Sequence, residues 1–175
     1  MKENNMNEKI KIFSKEMLKT HFELLENCKG IEQEEMHHPE GDVFNHTLQV
    51  LKWAFRESED TDLILAALLH DVGKPINRLG HDKVAVELII DITTGKTLWL
   101  VENHMRVWHF ILGEMKKLSK VKELAEHMWL PELILLARWD KLGRNPRSKI
   151  VYDKDNIVER LNKCVGNRYD KNKEN

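Results

Sequence analysis

A chain of 175 residues has room for one compact domain with a substantial core. Lys and Arg number 28 against 29 Asp and Glu, a formal charge of -1, which excludes nucleic-acid binding through bulk charge and leaves only a local basic patch. No apolar run reaches the roughly 18 residues of a membrane helix. Cys28 and Cys164 lie far apart with no apolar leader at the start, and are expected as reduced thiols in a cytoplasmic protein.

Met1 to Asn7 is polar and expected to fray. Ile12, Phe13, Met17, Leu18, Phe22, Leu24 and Leu25 fall at helical spacing and predict an amphipathic helix from Glu8 to about Cys28, stopped by Gly30. Ile31 to Asp42 contains Pro39 and Gly41 and reads as an irregular connection. Asp42 is an N-cap for a helix over Val43 to Phe55, whose inward face is Phe44, Thr47, Leu48, Leu51 and Phe55.

Thr61 is expected to cap the central helix. Its sequence LILAALLHDVGKP (Leu63 to Pro75) is apolar on every face and is predicted to end at Gly73 and Pro75. His81 to Ile92 forms the next helix, followed by a break at Thr93 to Lys96 and helical stretches over Leu98 to Met105 and Val107 to Leu118. Ser119 can cap Val121 to Met128, and Pro131 suits the first turn of a helix over Glu132 to Leu142, closed by Gly143. The basic loop Arg144 to Lys149 leads to a short helix over Asp155 to Val165 and a polar tail from Asn167. The prediction is an all-α bundle: an N-terminal helix within 1–30 packed on a core of 31–150, with a short C-terminal helix and tail in 151–175.

Polar residues stand at several positions where apolar ones are expected. His46 lies between Phe44 and Leu48; His81 shares a face with Ala85 and Leu88; His104 follows the apolar run Leu98 to Val101. Asp140 continues the face of Leu133, Leu136 and Ala137, and the central helix delivers His70 and Asp71 together. A buried imidazole–carboxylate pair is costly without compensation, and a metal ion supplies it. Nitrogen and oxygen donors without cysteine suit Fe, Mn, Zn, Ni or Co. Six such residues exceed a closed zinc site and suffice for two ions about 3.5–4 Å apart, with Asp71 as the bridge. His21, His37, His38, His109 and His127 are read instead as ordinary hydrogen-bonded histidines, and Trp53, Trp99, Trp108, Trp129 and Trp139 as core.

The order His, His-Asp, His, His, Asp on a helical chain resembles the HD-domain metal-dependent phosphohydrolases. HHPEGDVFNHTLQVL (His37 to Leu51), AALLHDVGKP (Ala66 to Pro75), GHDKVAVEL (Gly80 to Leu88), ENHM (Glu102 to Met105) and ARWDKLGR (Ala137 to Arg144) are similar to the HD domain appended to bacterial CCA-adding tRNA nucleotidyltransferases. The likeness runs from about His37 to Arg147. Those enzymes also carry a nucleotidyltransferase head, and nothing before His37 is expected to encode one, so CCA addition is not implied. The resemblance implies hydrolysis of 2′,3′-cyclic phosphate and 2′-phosphate groups on nucleotides or RNA 3′ ends, with a divalent metal (Mn, Fe, Ni, Co, Zn or Mg) as one or two ions. It implies that His46, His70, Asp71 and Asp140 hold a first ion and that His81 and His104 extend the site. Asp71 and Lys74 are the expected catalytic residues, Lys74, Arg144 and Arg147 the expected phosphate contacts, and Glu40, Gly41 and Asp42 the rim. The same ligands serve nucleotidases, dNTP triphosphohydrolases and cyclic-dinucleotide phosphodiesterases. A non-catalytic metal-stabilised module is a third reading, and a second copy of the chain is a further candidate partner.

Overall fold

The computed structural model describes residues 12–173, and the side chains of 169–173 are left out of the description. Nine helices follow one another among these residues: α1 (Lys19–Glu26), α2 (Val43–Glu57), α3 (Thr61–Leu69), α4 (His81–Ile89), α5 (Gly95–Asn103), α6 (Arg106–Ile111), α7 (Leu118–Ala125), α8 (Leu130–Leu142) and α9 (Lys154–Lys173). The protein is all-α; the sole extended pairing among the described residues is an isolated antiparallel bridge between Glu32 and Asp42.

α3 forms the centre, as its composition demands. Every residue from Leu63 to Leu69 is buried, and α1, α2, α5, α8 and α9 all pack against it. A helix with no polar face can be satisfied only by such an all-round coat. Around it Phe22, Leu25, Val50, Leu100, Leu133, Leu136, Trp139 and Leu161 fill one continuous core.

Helix starts follow the available caps. Asp42 accepts from Asn45 N at 2.8 Å, as its position before an apolar run suggests. The expected cap at Thr61 is corrected: Asp60 accepts from Asp62 N (3.0 Å) and Leu63 N (3.4 Å), so Thr61 is already helical. Thr94 Oγ1 accepts from Thr97 N at 3.2 Å, so α5 begins at Gly95, inside the expected break. Ser119 does not cap α7, which starts one residue before it without a side-chain cap. α6 stops at Ile111, well short of Leu118, because the chain turns at Gly113 with φ +70°.

The two ends differ from expectation in opposite senses. Residues 8–11 of the expected first helix lie outside the described residues, and α1 itself begins only at Lys19. Ahead of it the Asn162 side chain accepts from the Ile12 and Phe13 amides (both 2.8 Å) and donates to Phe13 O, holding this segment out of the helix. At the other end α9 runs through to Lys173, past the predicted stop at Val165.

α3 also ends earlier than predicted, at Leu69, and the chain goes through turns to reach α4. Gly73 permits this: a Cβ there would overlap His81 O and stand 2.9 Å from Ala85 N. The turn therefore presses His70 and Asp71 against the first turn of α4.

Candidate metal centre

Each candidate ligand comes to the centre by a local device. His70 and His104 are the C-cap residues of α3 and α5, and His81 is the first residue of α4. In each case Nδ1–H donates to the carbonyl three residues back: His70 to Ala67 O (2.9 Å), His81 to Arg78 O (2.9 Å) and His104 to Val101 O (2.6 Å). His46, in the second turn of α2, turns Nδ1 to Glu40 Oε1 (2.7 Å) and Gly143 O (3.2 Å). All four rings thus use Nδ1 for support and aim Nε2 inward, the arrangement that fixes a ligand histidine's tautomer.

The inward atoms form two groups. His46, His70 and Asp140 make one, Asp71, His81 and His104 the other, and within each group the ligand atoms lie within 4.8 Å of one another. Asp71 faces both. Its Oδ2 stands 3.3 Å from His70 Nε2 and 3.8 Å from His46 Nε2, while Oδ1 stands 3.1 Å from His81 Nε2 and 3.8 Å from His104 Nε2. All six residues are buried.

The donor atoms fit a divalent ion. His46 Nε2 and His70 Nε2 are buried without a hydrogen-bond partner, although Asp140 Oδ1 is 3.2 Å from the first and Asp71 Oδ2 3.3 Å from the second. The carboxylates are near these atoms but not aligned to receive a proton from them. His81 Nε2 and His104 Nε2 face each other at 3.0 Å. With both Nδ1 atoms acting as donors, two lone pairs meet there, and only a proton or a cation between them relieves the conflict.

Electrostatics point the same way. Burial would raise the Asp71 carboxyl, but His70 and Lys74 hold it well below its usual value. Burial is likewise outweighed at Asp140, where His46 holds the carboxyl down. At Glu40 burial is overcome by His38 and His46, which bring it to about 2. Burial lowers His46, but Asp140 and Glu40 overcome this and push it up to about 9. Burial, and the charge on His70, bring His104 down to about 4. The centre thus holds ionised carboxylates beside a neutral His104, and the same carboxylates draw positive charge to His46, negative charge that a bound cation would offset in place of a proton.

The centre opens onto a cavity of about 530 Å³, within the range of small-molecule sites. Lys74 and Arg144 lie on its wall. Lys74 Nζ donates to Asp71 Oδ2 (2.6 Å) and Gln33 Oε1 (2.7 Å), and Arg144 donates to Asp140 Oδ1 (3.1 Å) and His37 O (3.3 Å). Arg147, expected beside Arg144, is exposed and does not line the cavity. Gln49 on α2 explains this: it donates to Asn145 O and Ser148 O, pinning the 145–148 turn to the flank of α2.

The expected rim at Glu40 to Asp42 is also corrected. Glu40 is 2% exposed and supports His46, and Asp42 is spent on the α2 cap and on Gly30 N (2.8 Å). The stretch 31–42, read from sequence as an irregular connection, is a strap across the cavity that supplies Gln33, His37 and His38 to its wall. His38 Nδ1 meets Glu40 Oε1 at 2.9 Å, so a chain of contacts runs from the cavity wall through a buried carboxylate to His46. Trp108 donates its indole N–H to Asp140 Oδ2 at 3.3 Å. Trp108 and Gln33 carry no local signal, since the helix breaks between His104, the C-cap of α5, and Trp108 in α6; Glu40 is marked in the sequence only as part of the rim. His21, His109 and His127 do not line the cavity.

Comparison with known proteins agrees with this geometry. Residues 43–145 match the HD domain family, a span that holds all six candidate ligands. A multifunctional CCA protein of Thioalkalivibrio sulfidiphilus is 40% identical over 75 residues, 39% of this chain and 18% of that protein. The protein of the same name from Methylococcus capsulatus is 37% identical over 76 residues, again 39% and 18%. That of Halorhodospira halophila is 40% identical over 65 residues, 33% and 16%. The chain thus spans less than a fifth of the length of these curated relatives. With the family match covering more than half of its residues, and its His and Asp side chains gathered at one buried centre, the chain belongs to the HD-domain family of metal-dependent phosphohydrolases.

Proposed function

We propose that the protein hydrolyses phosphoesters of nucleotides or RNA 3′ ends, of the 2′,3′-cyclic phosphodiesterase and 2′-phosphatase type, with a divalent metal held by His46, His70, Asp71, His81, His104 and Asp140. The observation that carries this reading is the placement of Asp71, with one carboxylate oxygen toward each of two ligand groups. A divalent ion held there supplies positive charge that acidifies water and offsets the charge of a phosphoryl group.

The chain's own residues do the rest. The four Nδ1 anchors keep the imidazoles from rotating, so the site is preorganised before substrate arrives. Asp71 stays ionised at neutral pH and can orient a water molecule through its carboxylate oxygens. Lys74 has a third N–H free of its two present acceptors, and that donor can meet a phosphoryl oxygen. Arg144 stands on the same wall as a second cation for the phosphate. The similarity to multifunctional CCA proteins supports an RNA 3′ end as the partner.

Replacing His70 or Asp71 with Ala should reduce turnover by at least a thousandfold and lower metal content while circular dichroism stays helical. Undiminished phosphate release from metal-replete H70A and D71A removes the assignment. A panel of 2′,3′-cyclic, 2′-, 3′- and 5′-nucleotides, dNTPs and cyclic dinucleotides separates the RNA-end reading from nucleotidase, triphosphohydrolase and cyclic-dinucleotide activities.

A further inference from the structure

The cavity's 530 Å³ far exceeds what a phosphate group needs, so most of its space belongs to whatever the phosphate is attached to. Its wall changes character around the metal centre. Lys74 and Arg78 from the turn after α3, and Arg144 after α8, bring positive charge. Next to Asp140 the wall is formed by Met105 and Trp108, the N-cap and third residue of α6.

The Trp108 indole is oriented rather than free. Its Nε1–H donates to Asp140 Oδ2 at 3.3 Å. With that nitrogen used, the rest of the side chain is ring carbon, and Met105, 39% exposed, adds a thioether beside it. An aromatic ring tied by its edge to a candidate ligand carboxylate is poorly suited to bind phosphate. It is well suited to hold a flat apolar group carried by the same molecule.

We propose that Trp108, with Met105 beside it, is a nucleobase subsite, and that the substrate presents one unpaired nucleoside next to its reacting phosphate. This deepens the phosphohydrolase reading and rests on it for the position of the phosphate. An indole stacks on any base and reads none of their edges, so the subsite selects for the presence of a base and not for its identity.

Equilibrium titration of the Mn²⁺-loaded protein with adenosine 5′-monophosphate, ribose 5-phosphate and inorganic phosphate measures this, since the first two differ only in the base. The wild type should bind the nucleotide about tenfold more tightly than the ribose phosphate. W108L should close that gap. W108F should keep most of it, because it loses the bond to Asp140 but retains a ring. Equal binding of the two compounds by the wild type, or a gap that survives in W108L, overturns the subsite whatever the hydrolysis assays give. If W108L does not fold, M105A provides the second reading: a narrowed gap supports the subsite and an unchanged one overturns it. Persistence of the nucleotide gap in a protein that releases phosphate from nothing keeps the subsite and removes the hydrolase reading.

Discussion

At the scale of single residues, Glu40 is the side chain whose role is least visible in the sequence and most specific in the structure. Its Oε1 is shared between His38 Nδ1 and His46 Nδ1 (2.9 and 2.7 Å), and it is as buried as the ligands themselves. A carboxylate behind a ligand histidine fixes the ring and raises its basicity, and loss of such a partner costs about 10–100-fold in metal affinity. E40Q should therefore weaken Mn²⁺ binding by that factor in a calorimetric titration with the helical signal unchanged; equal affinity in E40Q and wild type would show that Gly143 O alone positions His46. The contrast with the ligands explains what was legible. His70, His104 and Asp140 could be read because each interrupts an apolar face at helical spacing, a signal carried within one helix. Glu40 sits in a stretch with no period, and nothing within that stretch marks the turn that brings its carboxylate onto His46.

At the scale of elements, the starts of three helices are joined through Asp60. It caps α3, forms an ion pair with Lys96 of α5 (2.6 Å), and meets Arg168 of α9 (3.1 Å); Lys96 also reaches Glu132 in the first turn of α8 (2.7 Å). Burial would raise the Asp60 carboxyl, but Lys96 and Arg168 hold it below its ordinary 3.8. A carboxyl lowered on folding adds stability that is present above its unfolded value and disappears as pH falls through the folded one. Urea midpoints of the wild type should thus fall between pH 5 and pH 3, and D60N should flatten part of that fall while costing about 1 kcal/mol at pH 7 through the lost ion pairs. An acid limb of equal steepness in both proteins would assign it to other carboxylates. Helix existence was readable throughout this region, because the apolar faces were strong. Helix starts were not, because Asp60 and Thr61 are both competent caps in isolation, and only the reach of a carboxylate to two amides at once decides between them.

At the scale of the whole molecule, the core and the metal centre are separate structures that share one helix. The body of α3, from Leu63 to Leu69, is coated by apolar side chains of the five helices around it, whereas the candidate ligands are supplied near helix ends and at the turn held close by Gly73. Most of the folding energy therefore lies outside the centre, unlike a small zinc module that unfolds when its ion leaves. What loss of an ion held there would expose is local: the His81–His104 contact at 3.0 Å and buried carboxylates without a counter-charge. At a metal concentration of 100 Kd the bound ion adds about 2.7 kcal/mol, which for a chain of this size is a shift of roughly 5–11 °C. Chelation should accordingly lower the melting temperature by that amount and abolish turnover, while far-UV circular dichroism at 25 °C keeps its helical form. Complete unfolding on chelation would mean that the ion holds the bundle together, and the catalytic role assigned to Asp71 and Lys74 would then lose the independent scaffold on which it depends.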